Sequence, residues 1–260
     1  MYHSGSFASL RSDDSDYVWR YMDFTKFISL LDSKSLFFSR ADRFIDPFEG
    51  ATPIKNIGLR EQRLKAYLPV YPLPDKDEYE QRMKMHFKNK MHLRKRVAIN
   101  CWHQNNHESE AMWKLYVPSG EGVAIRTTVG KLKSSLEKSK EYVEISSVNY
   151  IDYESDSIEE SSILAPFRTK RKSFEHEREI RALIFRGGGE GNNLNSHIEL
   201  INPTINSGIT VPVSLDNLIQ DIYISPTASD WFKQLVLNVM KKYTYDFKVS
   251  QSMLTNKPYY

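Results

Sequence analysis

The sequence predicts an α+β fold: a single domain over residues 17–260 with a mixed or antiparallel central sheet, flanking helices and a basic helical insertion at about 55–95. Three observations predict it. Short aromatic and β-branched runs recur along the chain, which is the mark of strands. Between them lie stretches whose apolar residues recur at helical spacing. No repeat and no Gly/Ser linker divides the 260 residues, and an apolar content of 40% suffices for one packed core.

Residues 1–16 are polar and read as a flexible N-terminus. YVWRYM (17–22) is aromatic and reads as a strand. Phe24, Phe27, Ile28 and Leu31 then recur at helical spacing, with Asp23 as N-cap. SLFFS (35–39) is a short buried strand leading to a stiff acidic turn, Asp46-Pro47-Phe48-Glu49. Residues 59–96 read as mostly helical, interrupted by Pro69, Pro72 and Pro74. RVAINCW (96–102) is a strand of small buried residues, and SEAMWKLYV (109–117) a helical turn that packs Met112, Trp113 and Tyr116. GEGVAIRTT (120–128) is a glycine turn entering a strand, and VEISSVNYI (143–151) reads as one further strand. GGGEGNN (187–193) lacks the pattern of a phosphate loop and reads as a flexible connection. Three late strands, in 208–213, 218–226 and 245–254, surround a helix over 228–243.

The charge balance excludes little. There are 36 Lys and Arg against 33 Asp and Glu, a net charge of +3, too mild to argue for nucleic acid by itself. The charge is uneven, however. Residues 82–96 are strongly basic, RTKRK (168–172) is a second basic cluster, and 152–162 is acidic. The basic stretches read either as solvated faces or as a footprint for a phosphate-bearing ligand. No apolar run approaches the roughly 20 residues that span a bilayer, so no membrane association is expected. The opening residues lack the pattern of a signal peptide. The single cysteine, Cys101, excludes an internal disulfide and suits the cytoplasm.

Four blocks in order resemble a bacterial and phage family, the domain of unknown function numbered 2971. They are Trp19-Arg20-Tyr21; the turn Asp46-Pro47-Phe48-Glu49; Met112-Trp113 with Tyr116 and Gly122; and Lys170, Phe174, Glu177, Glu179 and Arg181. The opening strand, helix and short strand are also similar in layout to ADP-ribosyltransferases. That resemblance implies NAD as substrate, an unknown macromolecular acceptor such as protein or nucleic acid, and a role as a toxin or phage-defence effector. Transferases that modify arginine are similar in using a Glu-x-Glu pair, and Arg, Ser and Glu in that order mark one class of them.

Within EHEREIR (175–181), a strand period of two sets Glu175, Glu177, Glu179 and Arg181 on one face, with Ile180, Ala182 and Ile184 facing the core. A carboxylate there can stabilise the positive charge that builds on a ribose ring as nicotinamide leaves, and a neighbour can activate the acceptor. Glu179 and Glu177 are the expected catalytic pair, with Arg181 orienting one of them. Arg20 is a candidate to grip a phosphate and Tyr21 to stack on a ring. Ser39 and Arg40 supply a hydroxyl and a cation at a strand end, and Tyr116 is a candidate to line the same cleft. In the acidic turn, Asp46 is suited to capping amides, while Glu49 is free to reach the cleft. Cys101, His103, His107 and Glu108 are metal-ligand types, but Asn105-Asn106 is a turn signal that breaks the helix such a site would need, so no metal is assigned. The rival reading is a non-enzymatic nucleic-acid-binding module built on the basic helix 82–96.

Overall fold

The structure is a computed structural model that describes residues 10–67, 91–159, 162–187 and 205–258. All but Gly187 of the expected loop at 187–193 and most of the basic run 82–96 lie outside the described residues; in the described end of that run 91–94 is helical, and Leu93 and Arg96 are buried.

The chain opens as strand, helix, strand. Strand β1 (Tyr17–Asp23) ends where the Asp23 carboxylate accepts the Lys26 N–H at 2.8 Å and caps helix α1 (Phe24–Ser33). Lys34, in the left-handed region, turns the chain into β2 (Ser35–Arg40). Helix α2 (Ile54–Tyr67) begins the expected insertion. Next come β3 (Val97–Gln104), α3 (Glu110–Tyr116), β4 (Gly122–Thr128) and α4 (Val129–Leu136). The run read as one strand at 143–151 is two, β5 (Val143–Ser147) and β6 (Asn149–Ile151), because the Val148 N–H leaves the ladder to bond the Glu179 carbonyl. Strands β7 (Thr169–Arg171), β8 (Glu179–Phe185) and β9 (Gly208–Pro212) follow, then the short helix α5 (Leu215–Leu218), β10 (Asp221–Ile224), α6 (Asp230–Lys242) and β11 (Lys248–Gln251).

Among the described residues, nine strands form one mixed sheet, in which only β10 and β11 run parallel; β6 and β7 form a separate parallel pair. The α+β architecture with a mixed central sheet is therefore as the sequence predicts. β3 is the branch point. One edge pairs with β8 along its length, from Val97↔Phe185 to His103↔Glu179. The other edge is divided. β1 pairs with its end at His103 and Gln104, and β2 with its beginning at Ala98 and Ile99. The two arms part between these contacts, leaving Asn100, Cys101 and Trp102 facing a gap in the sheet.

The two faces differ. Val18, Met22, Ala98, Trp102, Ile125, Ile180, Ala182 and Ile184 belong to the large apolar core, covered by α1, α4, α5 and α6. The opposite face carries two smaller clusters. Trp19 and Tyr21 pack with Met112 and Trp113 of α3; Val97, Ile99 and Leu183 pack with Ala41 and Phe167. Between these two clusters the same face is polar. Among the described residues no helix is long and apolar enough to cross a membrane.

Candidate functional site

The polar patch is built around Arg181, which is fully buried. Strand alternation puts Glu179, Arg181 and Leu183 on the face opposite the main core. Arg181 Nε donates to Glu179 at 2.7 Å, and its two terminal nitrogens donate to the Glu49 carboxylate at 2.8 and 2.7 Å, a bidentate pair. A further bond runs to the Phe167 carbonyl at 2.9 Å. Lys170 bridges the glutamates, with Nζ 2.8 Å from Glu177 and 2.5 Å from Glu179 and lying over the Phe174 ring.

Glu177 and Glu179 do not meet as neighbours on a strand face. Residues Lys172–Glu177 form 3-10 turns, Arg178 follows with φ +41°, and only then does β8 begin. The left-handed residue folds the chain so that the two carboxylates converge on Lys170, while Glu175 is left exposed on the turn. This corrects the one-face strand reading of 175–181. The turn at 46–50 delivers Glu49. Asp46 accepts the Phe48 N–H and pairs with Arg171 at 2.9 Å, and Gly50, with φ +72°, packs so tightly that a Cβ would lie 2.4 Å from the Phe167 ring. Asp46 thus caps and braces the turn, and Glu49, 1% exposed, is the carboxylate the turn delivers to Arg181.

Three carboxylates, Glu49, Glu177 and Glu179, face two cations, Lys170 and Arg181. One negative charge is in excess, and Glu177 is the group whose hold on a proton is strengthened. Burial, a hydrogen bond to Glu179 and the charge of Glu179 raise the Glu177 carboxyl to about 7. For Glu179, burial also works to raise the value, but Arg181 and Lys170 outweigh it and hold the group well below the ordinary carboxylate range.

Around this pair, Cys101 is half-buried; burial first, then Glu179, pushes its thiol up, so it is a wall rather than a nucleophile. The Tyr150 hydroxyl accepts the Glu179 N–H at 2.8 Å. His103 lies 2.6 Å through Nδ1 from the Glu177 carbonyl, which fixes the proton on Nδ1; its Nε2 is buried with no hydrogen-bond partner among the described residues. Burial, Arg178 and His176 lower its pKa. Among the described residues no group of three or more His, Cys, Asp or Glu is placed to hold a metal ion.

The other expected site residues divide. Tyr116, 42% exposed, ends α3 beside the patch; burial of its hydroxyl end and the fields of Glu177, Cys101 and Glu179 raise its pKa. Arg20 also acts on Tyr116, so these groups share one neighbourhood. Arg20 nevertheless belongs by register with Val18 and Met22, opposite Glu179. It reaches into the gap, donating to the Cys101 carbonyl at 2.9 Å over the Trp102 ring. Tyr21 is committed to the fold: its hydroxyl accepts the Ser109 N–H at 2.8 Å and its ring is edge-on to Trp113. Arg40 is held by Asp42 and the Ile205 carbonyl. Ser39 sits opposite Ile99, whose partner on β8 is Leu183, four residues from Glu179. That places Ser39 at least about 13 Å along the strand from Glu179. Lys170 had only a motif position in the sequence, and its spacing from Glu177 and Glu179 is the signal that marks its bridging role. Tyr150 and His103 gave no such signal.

A family model described as a protein of unknown function (DUF2971) matches residues 112–182, which agrees with the family resemblance of the sequence blocks. The matched stretch contains Tyr116, Lys170, Glu177, Glu179 and Arg181, the carboxylate pair and most of its supports. No curated protein and no solved structure matches the chain.

Proposed function

Proceeding from that family match, we propose that the chain is an ADP-ribosyltransferase-like enzyme, which breaks the nicotinamide–ribose bond of NAD and transfers ADP-ribose to a macromolecular acceptor. The observation that carries the reading is the carboxylate pair: Glu179 kept ionised and Glu177 kept near neutral titration, both joined to Lys170, beside the partly open Tyr116. Nicotinamide departs with the bonding electron pair, and positive charge develops on the ribose. An ionised carboxylate fixed by Arg181 and Lys170 needs no reorganisation to meet that charge. Glu177, once ionised, accepts the proton of the attacking acceptor group. Tyr116 supplies the exposed ring that Tyr21, buried among Trp19 and Trp113, does not.

The test is nicotinamide release from NAD by purified protein, with and without candidate acceptors. Glu179→Gln keeps the size and removes the charge, and its rate should fall on the order of 100-fold, with the folded state verified by circular dichroism. A rate unchanged in Glu179→Gln, or no release by the parent protein, defeats the proposal.

A further inference from the structure

A cavity of about 630 Å³ opens at the end of the sheet, where β3 and β5 finish and β8 begins. Its size lies in the range of small-molecule sites, roughly 300–1,000 Å³. Glu179 and Tyr150 line its inner side, and Arg11, Arg178, Asn105 and Asn106 line other parts of it. The walls are fixed by main-chain bonds. The Gln104 N–H donates to the Arg178 carbonyl at 2.9 Å, the Val148 N–H to the Glu179 carbonyl at 2.9 Å, and the Arg11 N–H to the Ser147 hydroxyl at 3.0 Å.

The charges of this cavity are unevenly satisfied. Glu179 is paired with Arg181 and Lys170. Asp16 accepts from Gln104 Nε2 and from the Asp13 N–H, each at 3.0 Å. Arg11 and Arg178 are exposed, and their guanidinium groups have no hydrogen bond or ion pair among the described residues. Against these two cations stands one carboxylate without a partner among the described residues, Glu175, and His176 adds positive charge when protonated. The field is felt inward: Arg178 and His176 both disfavour a proton on buried His103, in addition to the effect of its burial.

We infer that this cavity is the subsite for the diphosphate of a dinucleotide, bound by the guanidinium groups of Arg11 and Arg178. The assignment rests on the proposed reaction for the identity of the ligand, and it relieves Arg20 of the phosphate role. Arg20 is spent on the Cys101 carbonyl and the Trp102 ring. Two unpaired guanidinium groups offer ten N–H donors in rigid planar forks, which suit the oxygens of a diphosphate. Asn105 and Asn106 add side-chain amides, and the wall containing Tyr150 leads to the carboxylate strand.

The experiment measures binding of inorganic pyrophosphate and of ADP-ribose by titration calorimetry at fixed ionic strength. Arg11→Gln and Arg178→Asn remove the charges; asparagine tolerates the left-handed backbone of residue 178. Each substitution should weaken both probes about tenfold or more, as expected for a charge-assisted contact. Failure of pyrophosphate to bind, or equal binding by the arginine variants and the parent, overturns the subsite. Pyrophosphate binding without ADP-ribose binding overturns the dinucleotide assignment. A subsite that behaves as expected while Glu179→Gln releases nicotinamide at the parent rate overturns the proposed reaction and leaves the anion site standing.

Discussion

Glu177→Gln should remove a pH dependence of stability that the parent protein carries. In the folded chain burial and Glu179 lift the Glu177 carboxyl to about 7, against an ordinary 4.5. A carboxyl raised on folding binds its proton more tightly in the native state. The stability it contributes is therefore complete below about pH 4.5, and it is lost as pH rises through about 7. At about 1.36 kcal/mol per pH unit, that interval corresponds to about 3 kcal/mol. Glu179, held ionised by Arg181 and Lys170, changes little in this range. Glutamine imitates the protonated glutamate, so the variant should lack the slope. Urea unfolding of both proteins, from about pH 4.5 to about pH 8, isolates the effect as a difference in which other titrating groups cancel. The parent's stability relative to Glu177→Gln should fall by about 3 kcal/mol across that range. A difference that stays flat, or one that grows with pH, would show that the excess charge of the network is not relieved at Glu177, and the division of roles between the two glutamates would fail with it.

Two further substitutions address the supports of the pair. Glu49→Gln leaves the buried guanidinium of Arg181 facing an amide in place of the carboxylate that meets it at 2.7 and 2.8 Å. The cost should be about 3 kcal/mol or more, read from the urea midpoint, and a loss below about 1 kcal/mol would mean the pair is no tighter than a surface bridge. Gly50→Ala strains a backbone at φ +72° and drives a methyl group against Phe167. It should cost about 2 kcal/mol or more through strain and overpacking, and an unchanged midpoint would remove the turn's part in seating Glu49.

Local signals were readable in the sequence wherever the structure uses local rules. Asp23 is the N-cap it reads as, Met112 and Trp113 pack in a cluster as read while Tyr116, read as packing with them, is half-exposed, and Ile180, Ala182 and Ile184 face the main core. The convergence of Glu177 and Glu179 was readable only as proximity. Its cause is Arg178 in the left-handed region, and an arginine carries no sequence mark for that conformation, as glycine or asparagine would. Alternation sets Arg20 and Tyr21 on opposite faces of β1, although both were read as lining one cleft. It did not tell which face would be covered by α3, and so Tyr21 was read as a stacking surface although it lies inside an aromatic cluster. The contact between Glu49 and Arg181 spans 132 residues. Such a contact is decided by how the 46–50 turn docks on β8, and no local pattern encodes it.

The balance of charge within the network bears on what it is for. Removing several ionic groups from water is costly, and apolar residues of similar volume commonly hold a fold as well or better. Elsewhere the protein uses balanced pairs: Arg126 with Asp221 and Arg168 with Glu144. Each ties two segments with one cation and one carboxylate. The cluster on β8 could tie the 46–50 turn to the sheet in the same way with Glu49 and Arg181 alone. Adding Lys170 and a single glutamate would still be neutral. The further carboxylate tips the patch to an excess of negative charge and raises the Glu177 carboxyl. Excess charge beside a half-exposed tyrosine weakens a scaffold, whereas in the proposed reaction the same charge meets the developing cation and then takes up a proton.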